Sequence, residues 1–227
     1  MPGARSPAKN TSRCARIWNS TEGVGMDTKE QAAFFPATVM PDPDWWQALW
    51  PDPEEVIRAL GVRPGMTVLD LCCGDGYFTA ALARQVEDGR ILGFDLDEQM
   101  LAAAASVCAG LENCTFLQGD AMDLHWLLPE SVDYCLMANT FHGVPEQTAL
   151  AREIARVLKP SGLFAVVNWH ARPREETPVL GQVRGPRTEL RMTPEQVRAV
   201  AEAAGLQPDR LIELPPYHYG ALFRLPG

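Results

Sequence analysis

The sequence has little positive charge. Its 227 residues include 20 Lys and Arg against 29 Asp and Glu, which gives a formal net charge of −9 at pH 7. Proteins that bind nucleic acids normally present a basic face to the phosphate backbone. This charge balance therefore argues against a nucleic-acid partner, and we expect none.

Long apolar runs are also missing. The longest, at 101–109 and 162–167, are far shorter than the about 20 residues that a membrane-spanning helix needs. They fit a core helix and a core strand, so we expect no membrane span. With 46% hydrophobic residues, the chain is expected to fold as a globular domain in the cytoplasm, as a monomer or a homodimer.

No C-x-x-C pair occurs among the six cysteines. Most of them lie in or beside predicted strands, where a thiol acts as a small buried hydrophobe in a reducing compartment. We therefore expect no metal site. The alternative is a soft-metal or metalloid substrate held by thiolates.

Residues 1–25 contain basic side chains among Ser, Thr, Gly and Pro, with no acid before Glu22 and no apolar signal segment. They are interpreted as a disordered or spurious extension; a targeting segment or a start codon misassigned ahead of Met26 are the alternatives. A single domain is expected over residues 26–227.

The most informative segment is Val68–Thr79, VLDLCCGDGYFT. An apolar run ends in an acid, passes through a turn with two glycines and enters a helical pattern. This order predicts a buried parallel strand, a tight loop and a helix N-terminus. Free N–H groups at the helix start and the acid at the strand end then face a nucleotide-like ligand.

The third glycine of the dinucleotide fingerprint G-x-G-x-x-G is absent, because Thr79 occupies its position. The carboxylate of Asp70 would repel a pyrophosphate but attract an ammonium group. A dehydrogenase is therefore the weakest of the enzyme hypotheses.

The segment resembles motif I of class I S-adenosylmethionine-dependent methyltransferases, [D/E]-x-G-x-G-x-G, with Cys72 at the place of the first glycine. We expect the loop to tolerate this replacement. The resemblance implies that S-adenosyl-L-methionine is the cofactor and S-adenosyl-L-homocysteine the product. In this first motif it implies cofactor contacts for Asp70, Cys72, Gly74, Gly76 and Tyr77.

Further motifs of the family follow in order over residues 56–169, including the block at 152–163. His142 is similar to a histidine that methyltransferases of the ubiquinone/menaquinone-biosynthesis type often carry, and a structural role is the alternative for it. The resemblance implies that Asp95 accepts the ribose hydroxyls and that Asp120 accepts from the adenine amino group. The other implied cofactor contacts are Leu96 and Met100 beside the adenine ring, the amides of Ala121 and Met122, and Asn139 after the fourth strand.

The implied fold is an α/β, doubly wound, Rossmann-like sheet of seven mostly parallel strands, with an antiparallel last strand and helices on both faces. The sequence pattern predicts a helix over 54–60, a fifth strand over 163–169 and a helix from Thr193 to Gly205. Two last strands are expected at 210–214 and 220–225, with 217–219 between them.

Two segments are candidates for the substrate side. In the N-terminal cap, 30–61, Trp45, Trp46 and Trp50 recur at helical spacing, which indicates packing, a lid, or both. The insertion 171–192 is expected to cover the substrate. Because it is locally basic in an acidic chain, it is either a solvated loop or a contact for an anionic substrate.

Methyl transfer is an in-line displacement that needs alignment and exclusion of water, and a base only for a protonated acceptor. His170 is the preferred base candidate and His142 the second. The remaining substrate candidates are Asn168, Tyr217 and Tyr219. N-P-P-Y, which marks methylation of amide or exocyclic amine nitrogens, is absent after the fourth strand.

We therefore expect methyl transfer to a small-molecule acceptor through O, N, C or S. The alternatives are a protein or RNA methyltransferase and an inactive S-adenosylmethionine-binding regulator.

Overall fold

A computed structural model describes residues 43–227. The predicted extension at 1–25 and the part of the cap before residue 43 lie outside the described residues. The helices are α1 (Pro43–Leu49), α2 (Pro53–Ala59), α3 (Tyr77–Val86), α4 (Glu98–Val107), α5 (Gln147–Val157) and α6 (Pro194–Ala203). The strands are β1 (Thr67–Leu71), β2 (Arg90–Asp95), β3 (Cys114–Gln118), β4 (Val132–Ala138), β5 (Leu158–Trp169), β6 (Pro178–Val179), β7 (Gln182–Val183), β8 (Gln207–Leu214) and β9 (His218–Arg224).

Seven strands form one sheet in the order β3-β2-β1-β4-β5-β9-β8. Strands β1 to β5 are parallel, and β9 runs antiparallel to both of its neighbours, β5 and β8. The predicted mostly parallel sheet with an antiparallel last strand is confirmed. The strand order reverses between β1 and β4, and open α/β sheets bind ligands at such a reversal, beyond the carboxyl ends of the strands.

Helices cover both faces of the sheet because successive strand residues point to opposite sides. Val68 of β1 is buried in a cluster with Ile57 of α2. Its neighbour Leu69 is buried in a second cluster with Ile154 of α5 and Val197 of α6. The double winding expected from the sequence is therefore confirmed.

Helix starts follow their local sequence signals. The Asp52 side chain accepts from the Glu55 amide at 3.0 Å and caps α2, which has Pro53 in its first turn. Thr193 and Gln196 form a reciprocal capping box at the start of α6, where Thr193 was the predicted N-cap.

The three strands whose ranges were predicted all begin earlier than expected, and β8 begins at Gln207 rather than at 210. β5 begins at Leu158, not Leu163, because Leu158 still pairs with Val132 before a register shift brings Leu163 opposite Tyr134. β9 begins at His218, which pairs with Trp169 at the end of β5. His218 and Tyr219 are therefore strand residues and do not lie between the last two strands.

The segment 171–192 contains the β6–β7 hairpin, flanked by 3₁₀ turns at Arg174–Glu176 and Thr188–Leu190. It connects the carboxyl end of β5 to α6. Among residues 43–227, no helix combines the length and apolar character needed to cross a membrane.

Candidate functional site

The loop after β1 forms with a cysteine at the position of the first family glycine. Cys72 adopts a φ of +61°, in the left-handed region that favours glycine, at a cost of about 1 kcal/mol. The Cys73 amide donates to the Phe94 carbonyl at 3.1 Å, which draws the loop toward the end of β2. The expectation that the loop tolerates Cys72 is met in the structure.

Gly76 is required for the packing of the neighbouring helix. Its φ is +86°, and a Cβ built there would lie 2.8 Å from the Ala104 Cα of α4. The absence of a side chain at Gly76 therefore admits the neighbouring helix. The structure thus explains this glycine by the packing of α3 against α4.

Asp95, at the end of β2, holds the loop in place. Its Oδ2 accepts from the Gly74 amide at 2.9 Å, and its Oδ1 accepts from the Asp97 amide at 3.0 Å. Each carboxylate oxygen has a second lone pair, so the half-buried Asp95 retains capacity for ligand hydroxyls. The glycine loop and the predicted ribose acceptor are therefore joined directly.

Asp70 lies beneath the loop, with 2% of its surface exposed. The Thr79 hydroxyl donates to its Oδ2 at 2.6 Å. Burial raises the pKa of Asp70 from 3.8 to about 7; the Thr79 hydrogen bond opposes the rise and the Asp95 charge adds to it. The sequence interpretation used Thr79 only to exclude the dinucleotide fingerprint and missed this hydrogen bond.

The predicted adenine contacts lie beyond β2 and β3. Leu96 and Met100 are half-buried, Ala121 is buried and Asp120 is exposed. The Met122 amide donates to Asp120 Oδ1 at 2.9 Å, which leaves the second carboxylate oxygen without a partner in the described structure. Tyr77, at the start of α3, donates its hydroxyl to the Trp50 carbonyl and so faces the cap.

Asn139 follows β4 in a left-handed conformation, with a φ of +59°. Its backbone amide donates to the Val167 carbonyl, yet its buried side-chain oxygen and nitrogen both lack a hydrogen-bond partner. A buried amide without partners is unfavourable unless a ligand or water supplies them. This arrangement fits a polar ligand beside the loop, such as the cofactor that the first motif implies.

The two histidine candidates lie in different surroundings. The His142 Nδ1 is 3.4 Å from Asn168 Oδ1, and burial lowers the pKa of His142. The His170 Nε2 lies 2.9 Å from the Glu213 carboxylate, and its ring is 5.1 Å from that of Tyr219. The structure therefore joins His142 with Asn168, and His170 with Glu213 and Tyr219.

Buried and half-buried aromatic rings connect the cap to the ends of β5 and β9. We call this group the aromatic wall: Trp45, Trp46, Trp50, Tyr77, Trp169, Tyr217 and His218. Five of its members were predicted site residues: the three cap tryptophans and Tyr217 on the substrate side, and Tyr77 as a cofactor contact.

Trp169 and His218 were not selected as site residues from the sequence. The ring of Trp169 is 6.1 Å from Trp45 and 4.1 Å from His218. Both could have been found from their positions, because Trp169 ends β5 and pairs with His218 at the start of β9. Tyr219 points elsewhere, since its hydroxyl donates to the Met192 carbonyl at 2.9 Å.

Comparison with known proteins agrees with this geometry. Residues 68–162 match a family model described as a methyltransferase domain. A demethylmenaquinone methyltransferase of Staphylococcus aureus (strain MRSA252) is 38% identical over 111 residues, which are 48% of this chain and 46% of that protein. The chain thus matches about half the length of its curated relatives.

Solved structures match over a larger share. A SAM-dependent methyltransferase from Aquifex aeolicus has a TM-score of 0.71 and 29% identity, over 81% of this chain and 94% of that one. The YcgJ protein of Bacillus subtilis has a TM-score of 0.56 and 25% identity, over 71% of this chain and 70% of that one. With the sheet order and the loop after β1, these matches show a Rossmann-like methyltransferase fold, with similarity to a methyltransferase domain over residues 68–162.

Proposed function

We propose that this protein transfers a methyl group from S-adenosylmethionine to a small-molecule acceptor. The observation that carries the proposal is the hydrogen bond between the Gly74 amide and Asp95, which joins the glycine loop to the acid at the end of β2. The unpartnered Asn139 amide after β4 supports it, since β4 is the strand across the reversal from β2 and β1.

In this proposal the protein holds the cofactor along the carboxyl ends of β1, β2 and β3. Asp95 accepts the ribose hydroxyls, Leu96 and Met100 flank the adenine ring, and Asp120 accepts from its amino group. The buried Asp70 lies nearest the amino-acid end, where a bound ammonium group would favour the ionised carboxylate.

When bound, the cofactor supplies an electrophilic methyl group on a sulfonium. The residues of the chain then have to exclude water and align the acceptor behind that methyl group, which accounts for on the order of 7–11 kcal/mol of rate enhancement in comparable alignments. The aromatic wall is suited to this, because Trp50 and Trp169 are only 4% and 2% exposed. Flat apolar rings also provide a surface for an apolar or planar acceptor.

A protonated acceptor requires a base, and we assign this role to His142. Burial lowers the pKa of His142, so its imidazole is neutral at pH 7 and can take a proton. The Asn168 side chain beside Nδ1 orients the ring. His170 is less suited, because its Nε2 is already engaged by Glu213.

A small-molecule acceptor is favoured over RNA by the net charge of −9. The relatives named demethylmenaquinone methyltransferases make a quinol the first acceptor to test. Phenols, amines, thiols and carboxylates complete the panel, with S-adenosylhomocysteine formation as the readout. Binding of the cofactor without turnover on any of them would favour a regulator over an enzyme.

The cofactor assignment is tested by Asp95→Asn, measured by calorimetric titration with S-adenosylhomocysteine. We expect the dissociation constant to rise at least about tenfold, because hydrogen bonds to a charged acceptor contribute about 1.5–3 kcal/mol. Asp88→Asn is the control, since Asp88 is exposed and precedes β2 at the opposite edge of the sheet. An unchanged affinity in Asp95→Asn would remove the ribose assignment.

A further inference from the structure

Arg191 is a buried cation on the substrate side of the sheet. It is 5% exposed, and its guanidinium lies over the Trp169 ring, 4.7 Å from the centroid. Its Nε donates to the Pro186 carbonyl at 3.2 Å and its Nη1 to the Arg172 carbonyl at 3.1 Å. Its Nη2 is buried without a hydrogen-bond partner.

No carboxylate of the described residues pairs with this guanidinium. Glu175 is near enough to act on Arg191 through its charge, but it is exposed and forms no ion pair with it. Backbone carbonyls carry no net charge, so the positive charge remains uncompensated. Buried charges in proteins are normally paired, and a buried unpaired one is a candidate ligand-binding group.

Other unpartnered groups on this side are mostly hydrogen-bond donors. The side-chain nitrogens of Asn139 and Asn168 and the indole N–H groups of Trp45 and Trp50 are buried without partners. Asn139 directly follows β4, and Asn168 is the last but one residue of β5. Both tryptophans belong to the aromatic wall. Buried donors in excess call for a ligand that mainly accepts hydrogen bonds.

The histidines near Arg191 do not compensate its positive charge, because an imidazole is either neutral or positively charged. His218 is 1% exposed, and its ring packs against Trp50 and Trp169. Arg191, His142 and His170 all lie close enough to His218 to act on its ionisation. An incoming anion would therefore meet the fixed cation of Arg191 and several donors, between flat apolar rings.

We propose that the acceptor is an apolar or aromatic carboxylate and that Arg191, stacked on Trp169, binds its carboxylate group. This inference rests on the proposed function, because an acceptor exists only if the protein transfers methyl groups. It also gives the basic character of segment 171–192 a specific use. A carboxylate is acceptor-only and planar, which matches the unpartnered Nη2 beside the indole ring.

A purely structural role for Arg191 makes a different prediction. Its bonds to the Arg172 and Pro186 carbonyls tie segment 171–192 together, so removing them would loosen the substrate side for every ligand. If Arg191 instead binds a carboxylate, its substitution should remove only the tighter binding of an acid compared with its neutral amide. Matched pairs of acids and amides separate the two roles.

The experiment titrates the full chain, saturated with S-adenosylhomocysteine, with benzoate and benzamide, 4-hydroxybenzoate and 4-hydroxybenzamide, and 2-naphthoate and 2-naphthamide. We expect at least one acid to bind about tenfold or more tightly than its amide. Arg191→Met should abolish that ratio, and Arg191→Lys should retain part of it. Arg187→Met is the control, because Arg187 lies in the same segment but its side chain is 77% exposed.

Equal affinity for acid and amide, or no binding of any acid at millimolar concentration, would overturn the carboxylate site. An equal loss of both ligands in Arg191→Met would also overturn it and assign Arg191 to structure alone. The titrations are also repeated without S-adenosylhomocysteine. Failure of S-adenosylhomocysteine to bind would refute the proposed function, and the ratio of acid to amide affinity would still decide the role of Arg191.

Discussion

The buried carboxyl of Asp70 should make the stability of this protein depend on pH in an unusual direction. Asp70 is 2% exposed, and its pKa is raised from 3.8 to about 7, mainly by burial. Most carboxylates in folded proteins have lowered pKa values and stabilise the fold as the pH rises. For Asp70 the sign is reversed, because the folded state holds the proton more tightly than the unfolded state.

The window and the magnitude follow from the two pKa values. Below pH 3.8 Asp70 is protonated in both states and has no effect. Between 3.8 and about 7 the unfolded chain loses the proton first, so stability falls; above about 7 the loss is complete. At about 1.4 kcal/mol for each pKa unit, the total loss is on the order of 4 kcal/mol.

Asp70→Asn isolates this effect, because asparagine resembles the protonated acid and can still accept from the Thr79 hydroxyl. Urea denaturation of both proteins from pH 4.5 to 8.5 should show the variant gaining about 2–4 kcal/mol relative to wild type as the pH rises. Asp88→Asn, at an exposed position, should differ from wild type by a constant amount. A constant difference for Asp70→Asn as well would refute the reasoning.

Three further predictions concern packing and chemistry. Gly76→Ala should cost about 1–3 kcal/mol more unfolding free energy than Gly110→Ala, because both have positive φ but Gly110 has open space around it; equal costs in urea denaturation would contradict the close approach. Tyr134→Phe should lose about 1–3 kcal/mol by leaving the buried Leu60 carbonyl unpaired, whereas an unchanged denaturation midpoint would argue against that bond. His142→Gln should lower turnover about 10²-fold with little change in cofactor affinity. Because its pKa is lowered, wild-type turnover should decline only below pH 6.5, and a variant that keeps this decline would exclude His142 as the base.

The loop after β1 and the acid after β2 were predictable because their signals are local. The apolar run at Val68, the glycines after it and the acid of Asp95 lie in short strand–loop–helix units, whose geometry depends on near neighbours. Capping residues such as Thr193 were readable for the same reason. The strand order followed from the family resemblance rather than from any periodicity.

The aromatic wall and Arg191 were less predictable because their contacts join distant parts of the chain. Trp169 and His218 meet only when β9 pairs with β5, and Arg191 reaches them from the segment before α6. The bond between Asp70 and Thr79 depends on the turn between them, which a pattern search does not measure. The packing of Gly76 against Ala104 was not predicted, because Ala104 lies one helix further along the chain.

Calorimetric titration of the wild-type protein with S-adenosylhomocysteine, with NAD as the comparison ligand, tests the central claim most directly. We expect stoichiometric binding of S-adenosylhomocysteine and none of NAD, because Thr79 replaces the third glycine of the dinucleotide fingerprint and the Asp70 carboxylate would repel a pyrophosphate. Binding of NAD alone, or of neither ligand by the folded protein, would contradict the assignment of the loop after β1 to S-adenosylmethionine.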